Sequence, residues 1–225
     1  MPTQSSQFIE ITPRLSPRTA VFPGDRVFAR KVAMSFEGGH ALELSSIETT
    51  LHIGAHADAP SHYTARGQSI DERDPMLYIG PAQVIRVSLP RGARITVADL
   101  KGVRIEAPRV LFRTDSFPDP DSWNGDFNSL SPGLVEHLAA NGVRLVGIDT
   151  PSVDPADDKV LESHAAIAAH DMAVLEGLVL DQVDPGTYFL IAPPLRLEGA
   201  DASPVRALLV GADEWKKIAG SFAHG

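Results

Sequence analysis

Leu51-His52-Ile53-Gly54-Ala55-His56-Ala57-Asp58-Ala59-Pro60-Ser61-His62-Tyr63 places three histidines and an aspartate in the pattern H-x3-H-x-D-x3-H. No regular element brings these four side chains together. In a helix, His52 and His56 share a face, but Asp58 lies about 240° round from His52. Gly54 and Pro60 also oppose a helix there. In a straight strand, His52 and His56 share a face roughly 13 Å apart, too far for one ion with ligand bonds of about 2 Å. The stretch is therefore expected to be a bent strand end or loop, with Gly54 permitting the bend. Such a segment can wrap nitrogen and oxygen ligands round an ion. His52, His56 and Asp58 make the compact ligand set. His62, just beyond a proline, could stand outside the metal shell, where an imidazole of near-neutral pKa suits general acid–base work.

The rest of the chain limits what this cluster can be. There are 225 residues, eight of them His and none Cys. Disulfides, cysteine-based zinc sites, iron–sulfur clusters and thiol nucleophiles are excluded together, so any metal must sit among His, Asp, Glu or water. The net charge of −9 argues against a nucleic-acid partner, which needs a surplus of Lys and Arg on some face. No basic start is followed by an apolar core at the N-terminus, and no stretch approaches about 18 uninterrupted apolar residues. No membrane partner is expected, and the compartment expected is the cytoplasm.

Short runs rich in Val, Ile and Leu, bounded by Gly, Pro or Asp, predict strands over residues 27–34, 42–50, 83–89, 109–113, 143–148, 187–192 and 205–210. Ser131 as N-cap and Pro132 at the first helical position open a helix that ends at Asn141-Gly142. Thr96 with Asp99 three residues on predicts a short helix over 96–101, and a third helix is expected over 163–170. Strands outnumber helices and do not alternate with them. The fold class expected is α+β, with a mixed, largely antiparallel sheet in a single domain over residues 1–225. Residues 115–128 (DSFPDPDSWNGDFN) are the most loop-like and could form a surface excursion or a lid.

Three local ligands leave an ion incomplete. A second candidate stretch holds His164 and Glu176. Glu176 interrupts an otherwise apolar run over 172–180, so it must be exposed, paired or bound to a metal, because an unpaired buried charge is costly. His170 and Glu162 are expected to be exposed. His40, His137 and His224 fall in a turn, a helix and the tail, without an assigned role.

With these residues in view, the chain resembles the metal-dependent cyclase family, in its bacterial kynurenine formamidase branch. The resemblance spans nearly the whole chain. It includes FPGD at 22–25, GAHADAPSHY at 54–63, RVLFRT at 109–114, GIDTPSVDP at 147–155, Ser163-His164 and LEGLVLD at 175–181. It implies a swivelling β/β/α fold, often a homodimer, that acts on a small-molecule aryl formamide. His52, His56 and Asp58 match the first metal's ligands, with Asp58 bridging to a second. His164 and Glu176 match the ligands from the distant segment, with Glu176 touching both ions. His62 matches the proton donor and acceptor. The implied metal is zinc, two ions, although an all-N/O ligand set would also accept manganese. Two positions depart from the branch pattern. Phe22 stands where a Trp usually stacks on substrate, which keeps an aromatic face but loses the indole N–H. Ala55 stands where Thr is usual.

The reaction implied is hydrolysis of N-formyl-L-kynurenine to L-kynurenine and formate. Two rivals remain: another amide or lactam hydrolase of the family, such as an isatin ring opener, and a non-catalytic metal- or ligand-binding module. A serine hydrolase of the α/β kind is disfavoured, since no G-x-S-x-G elbow occurs.

Overall fold

Central strands whose residues are apolar without alternation belong inside a parallel sheet covered on both faces. The chain, in a computed structural model that describes residues 8–222, is arranged in that way. Its elements run β1 (Phe8–Glu10), β2 (Ala29–Met34), β3 (Leu44–Glu48), β4 (His56–Asp58), α1 (Pro60–Tyr63), β5 (Ile79–Arg86), β6 (Arg94–Ile95), β7 (Arg109–Arg113), β8 (Ser129–Leu130), α2 (Pro132–Ala140), β9 (Leu145–Ile148), α3 (Glu162–Ala169), β10 (Ala173–Glu176), β11 (Gly186–Ile191), β12 (Ala202–Pro204), β13 (Leu208–Gly211) and α4 (Ala212–Phe222). Nine strands form one sheet in the order β1-β13-β11-β5-β7-β9-β10-β4-β12. The middle pairs β5–β7, β7–β9 and β9–β10 are parallel. The flanking pairs are antiparallel. This is the α+β class with a mixed, largely antiparallel sheet.

Alternation along the strands divides the core in two. Leu111, Leu145 and Leu175 join Ala55, Ala57 and Ala59 on one side of the sheet. Val110, Phe112, Val146, Ile148 and Val174 pack on the other side with Leu134 and Leu138 of α2 and Ile167 of α3. Strands β12 and β13 lie near opposite ends of the strand order, yet only residues 205–207 separate them. The sheet is therefore curled until its two ends nearly meet. Val205 N–H donates to Ala55 O, and Ala207 N–H to Thr12 Oγ1, in that crossing. A separate hairpin, β2–β3, stands off the sheet.

The helix read from Ser131 is α2, with Ser131 Oγ accepting the Leu134 N–H. Residues 97–100 make a 3-10 turn closed by the Thr96–Asp99 capping box. Two strand expectations need correction, and one central strand was missed. The strand placed at 83–89 is β5, four residues earlier: Gly80 and Pro81 read as breakers, but both lie in register with β11. Of the strand expected over 205–210, only 208–210 is strand, as the start of β13; residues 205–207 are the crossing between the sheet's ends that follows β12. Strand β10 was not foreseen, so the β7-α2-β9-α3-β10 alternation was not either. His224 lies outside the described residues.

Candidate metal centre

Residues 51–55 form the bend expected from Gly54, and β4 begins at His56. His56 and Asp58 sit two apart, so they share a face, while Ala57 enters the opposite core. In the antiparallel β4–β10 pair, Glu176 is directly opposite His56, so their side chains meet. The close approach depends on two glycines. Gly177 has φ +64, and a Cβ there would lie 2.0 Å from Gly54 O; Gly54 itself has φ +55. A Cβ at Gly177 would strike the Gly54 backbone, and one at Gly54 would strike Leu15 and Pro13, so the bend needs glycine at both positions.

His164 arrives from the first turn of α3. Leu161, the residue at the N-cap, makes no side-chain cap. Asp154 replaces it: its carboxylate accepts the N–H groups of Ser163 and His164, both at 3.0 Å. The same carboxylate lies 2.8 Å from His164 Nδ1 and 2.6 Å from Arg94. The result is a carboxylate–imidazole arrangement with His164 Nε2 turned inward.

The two buried acids, Asp58 and Glu176, lie between imidazoles. Asp58 Oδ1 is 2.9 Å from His52 Nδ1 and 3.4 Å from His56 Nε2. Asp58 Oδ2 is 3.5 Å from His164 Nε2 and 4.0 Å from His62 Nε2. Glu176 Oε2 is 3.3 Å from His56 Nε2, and its Oε1 is 3.4 Å from His164 Nε2. Each carboxylate thus presents one oxygen to His56 and the other to His164.

A cation fits this arrangement of donor atoms. His56 Nε2 and His164 Nε2 are buried and have no hydrogen-bond partner among the described residues. Buried polar atoms without partners are rare and call for a ligand. His56 Nδ1 lies 2.9 Å from Gly54 O. Donating there makes Nε2 a lone-pair donor toward the centre. His52, His56 and Asp58, and likewise Asp58, His164 and Glu176, bring ligand atoms within 4.8 Å of one another.

The charges agree. Burial favours neutral Asp58, but His164 and His52 hold its carboxyl well below the usual carboxylate range. Burial works against charge on His52, yet Asp58 and Asp201 push its pKa up to about 9. Burial likewise opposes charge on His164, and Asp154, Asp58 and Glu176 outweigh it. The cluster attracts cations, and a divalent ion would compete with protons for the imidazoles.

All six polar residues singled out in the sequence converge here. His62, in α1, stands at the rim with Nδ1 3.4 Å from Asp201 Oδ2, and that oxygen is also 3.0 Å from His52 Nε2. Asp201 was not foreseen, because nothing local marks it: it arrives through the β4–β12 pairing. Asp154 lies inside the quoted GIDTPSVDP motif, but its partner is remote in sequence. His170 and Glu162 are exposed as expected.

The cluster forms one wall of a cleft of about 320 Å³. Phe22 lines the opposite wall with Phe117 and Trp123 from the 115–128 segment. That segment has no helix or strand; its Phe117 and Trp123 line the cleft, while Phe127 is buried. No helix among the described residues is long and apolar enough to cross a membrane.

Comparison with known proteins agrees with this fold. Residues 9–155 match the model of the Cyclase family, described as "Putative cyclase", and the chain belongs to that family. It is 42% identical over 201 residues to a kynurenine formamidase of Maricaulis maris (strain MCS10), covering 89% of this chain and 96% of the relative. Among solved structures it resembles isatin hydrolase A from Ralstonia solanacearum, at 26% identity and TM-score 0.77, with 91% of each chain covered. A "predicted metal-dependent hydrolase" from Bacillus stearothermophilus is also similar, at 26% identity and TM-score 0.76, with 90% of this chain and 97% of that one covered.

Proposed function

We propose that this chain is a metal-dependent hydrolase of aryl formamides that converts N-formyl-L-kynurenine to L-kynurenine and formate. The observation that carries the reading is the division of Asp58 and Glu176 between two groups of imidazoles. His52 and His56 would hold one zinc ion and His164 a second, with Asp58 and Glu176 reaching both. Divalent cations in such a site supply Lewis acidity toward a carbonyl and a nucleophile at neutral pH.

The chain's own groups do the rest. His62 Nε2 faces the cluster and is the atom placed to move a proton, including delivery to the departing aniline nitrogen. Asp201, beside His62 Nδ1, keeps that ring turned so that Nε2 faces inward. Phe22 and the aromatic residues beside it receive the aryl ring and exclude water. A serine mechanism lacks geometric support: Ser163 Oγ is buried and donates to Leu130 O at 2.8 Å, and the adjacent His164 binds Asp154 instead.

Metal analysis of the purified protein, coupled to a formylkynurenine assay before and after chelation, tests the reading. Activity should vanish on chelation and return with zinc, and His62→Ala should lose at least about 100-fold in kcat. Chelator-insensitive turnover would sink it. The isatin hydrolase neighbour supports a second substrate, so isatin belongs in the same assay.

We also infer a homodimer of this one-domain chain. Phe36 and Ile47 on the β2–β3 hairpin are 68% and 66% exposed, and a lone two-stranded hairpin is marginal in water. A second copy would cover it. Light scattering should give twice the chain mass, and Ile47→Lys should halve it.

A further inference from the structure

The aromatic side of the cleft is built as firmly as the metal side, although it has no regular elements. Trp123 stands at its centre. Its ring centroid lies 4.7 Å from Phe22, 6.0 Å from the buried Phe127 and 6.1 Å from Phe117, edge-on each time. The segments that carry Phe22 and Trp123 are tied together. Ala20 N–H donates to Pro120 O at 2.8 Å, and Arg18 Nε donates to Asp121 Oδ2 at 3.1 Å.

The entry to the 115–128 segment is held by a buried acid. Asp149 Oδ2 accepts the N–H groups of Thr114 and Asp115 at 2.8 and 2.9 Å. Its Oδ1 accepts the Thr114 hydroxyl at 2.6 Å. Asp115 has φ +56, a left-handed conformation that a side-chain-bearing residue keeps only when its surroundings enforce it. Ser116 Oγ then accepts the Asn128 N–H at 2.8 Å and joins the two ends of the segment.

We propose that Trp123 is the specificity-determining ring of the cleft, forming with Phe22 a two-ring wall that selects a flat aryl group, and that Asp149 is the positioning residue that seats it. One wall of the cleft is ionic and the other aromatic, which matches a ligand with a polar reacting end and a planar apolar end. The substrate class rests on the hydrolase reading above; the identity of the ring does not.

The test uses the full-length, metal-loaded protein. The chain has two Trp, so a Trp215→Phe background leaves Trp123 as the sole indole fluorophore. Titration with 2-aminoacetophenone, an aryl ketone with no formamide bond, should quench that fluorescence saturably. Trp123→Ala should raise KM for formanilide about tenfold with kcat held within about twofold, while N-ethylformamide kcat/KM changes by less than about twofold. Asp149→Ala should reproduce the KM rise and abolish the quench. Asp149→Asn keeps an acceptor for the two backbone N–H groups and should restore both to within about threefold. Should Asp149→Ala fail to fold, Thr114→Val carries the comparison, with a KM rise of about threefold expected.

Unchanged KM in Trp123→Ala, equal losses on the aryl and alkyl formamides, or an Asp149→Asn variant as impaired as Asp149→Ala would each overturn the proposal. If no formamide is turned over, the quench decides alone. Saturable quenching upholds the ring assignment while the hydrolase reading fails, and absent quenching overturns the assignment.

Discussion

The two walls of the cleft reach comparable order by different means. The ligand wall is made by strand register. His56 and Glu176 face each other across β4–β10, and the period of two sets Asp58 beside His56. The aromatic wall is made by loops whose hydrogen bonds run through Asp149, Ser116 and Pro120. Register positions side chains through a shared sheet, so one misplaced backbone displaces His56, Asp58 and Glu176 together. Loops position side chains through separate ties, so a single change there has a smaller reach.

The largest effect should follow from the contact on which register depends. Gly177→Ala puts a Cβ 2.0 Å from Gly54 O, at a backbone conformation that alanine resists. Metal stoichiometry by mass spectrometry should fall to near zero with circular dichroism largely kept. Full occupancy would show that the wall tolerates displacement. A step down in size, Asp154→Ala leaves His164 in place but frees its orientation. Metal affinity should drop about 10–100-fold in chelator competition.

These outcomes bear on what could be read in advance. The ligand wall was legible because its residues are chemically unusual where they stand: three imidazoles in one short stretch, and an acid within an apolar run. The bend at Gly54 followed from the failure of both a helix and a straight strand to gather them. Strand β10 was missed because Glu176 made its end look like an interruption of the apolar run, whereas the equally buried β7 and β9 carry no such acid. Asp201 and Trp123 were illegible for a different reason. An aspartate before a short edge strand and a tryptophan in a loop are ordinary, and only the curl of the sheet and the ties at Ala20 and Asp149 bring them to the cleft.

The comparison also sets an expectation for pH. Without metal, the folded His52 pKa of about 9 stands above its unfolded value of about 6.5. The stabilisation from its protonated form is complete below about 6.5 and is lost as pH rises through about 9. Thermal melts of chelated protein should therefore show Tm falling across that window, and metal-loaded protein should not follow. Parallel curves would mean that His52 is not a ligand. The smallest effect belongs to the aromatic wall: Phe22→Trp enlarges a ring already backed by Trp123, and KM for an aryl formamide should move by less than about threefold.

Asp154 gives the site a remote reporter. The carboxylate that orients His164 also accepts the first amides of α3, so that helix turn and the imidazole share one anchor. A ligand drawing on His164 Nε2 stiffens the anchor, and stiffening is felt as slower local opening. The amides of Ser163 and His164 should exchange with deuterium more slowly as the centre fills, which allows occupancy to be followed without any substrate.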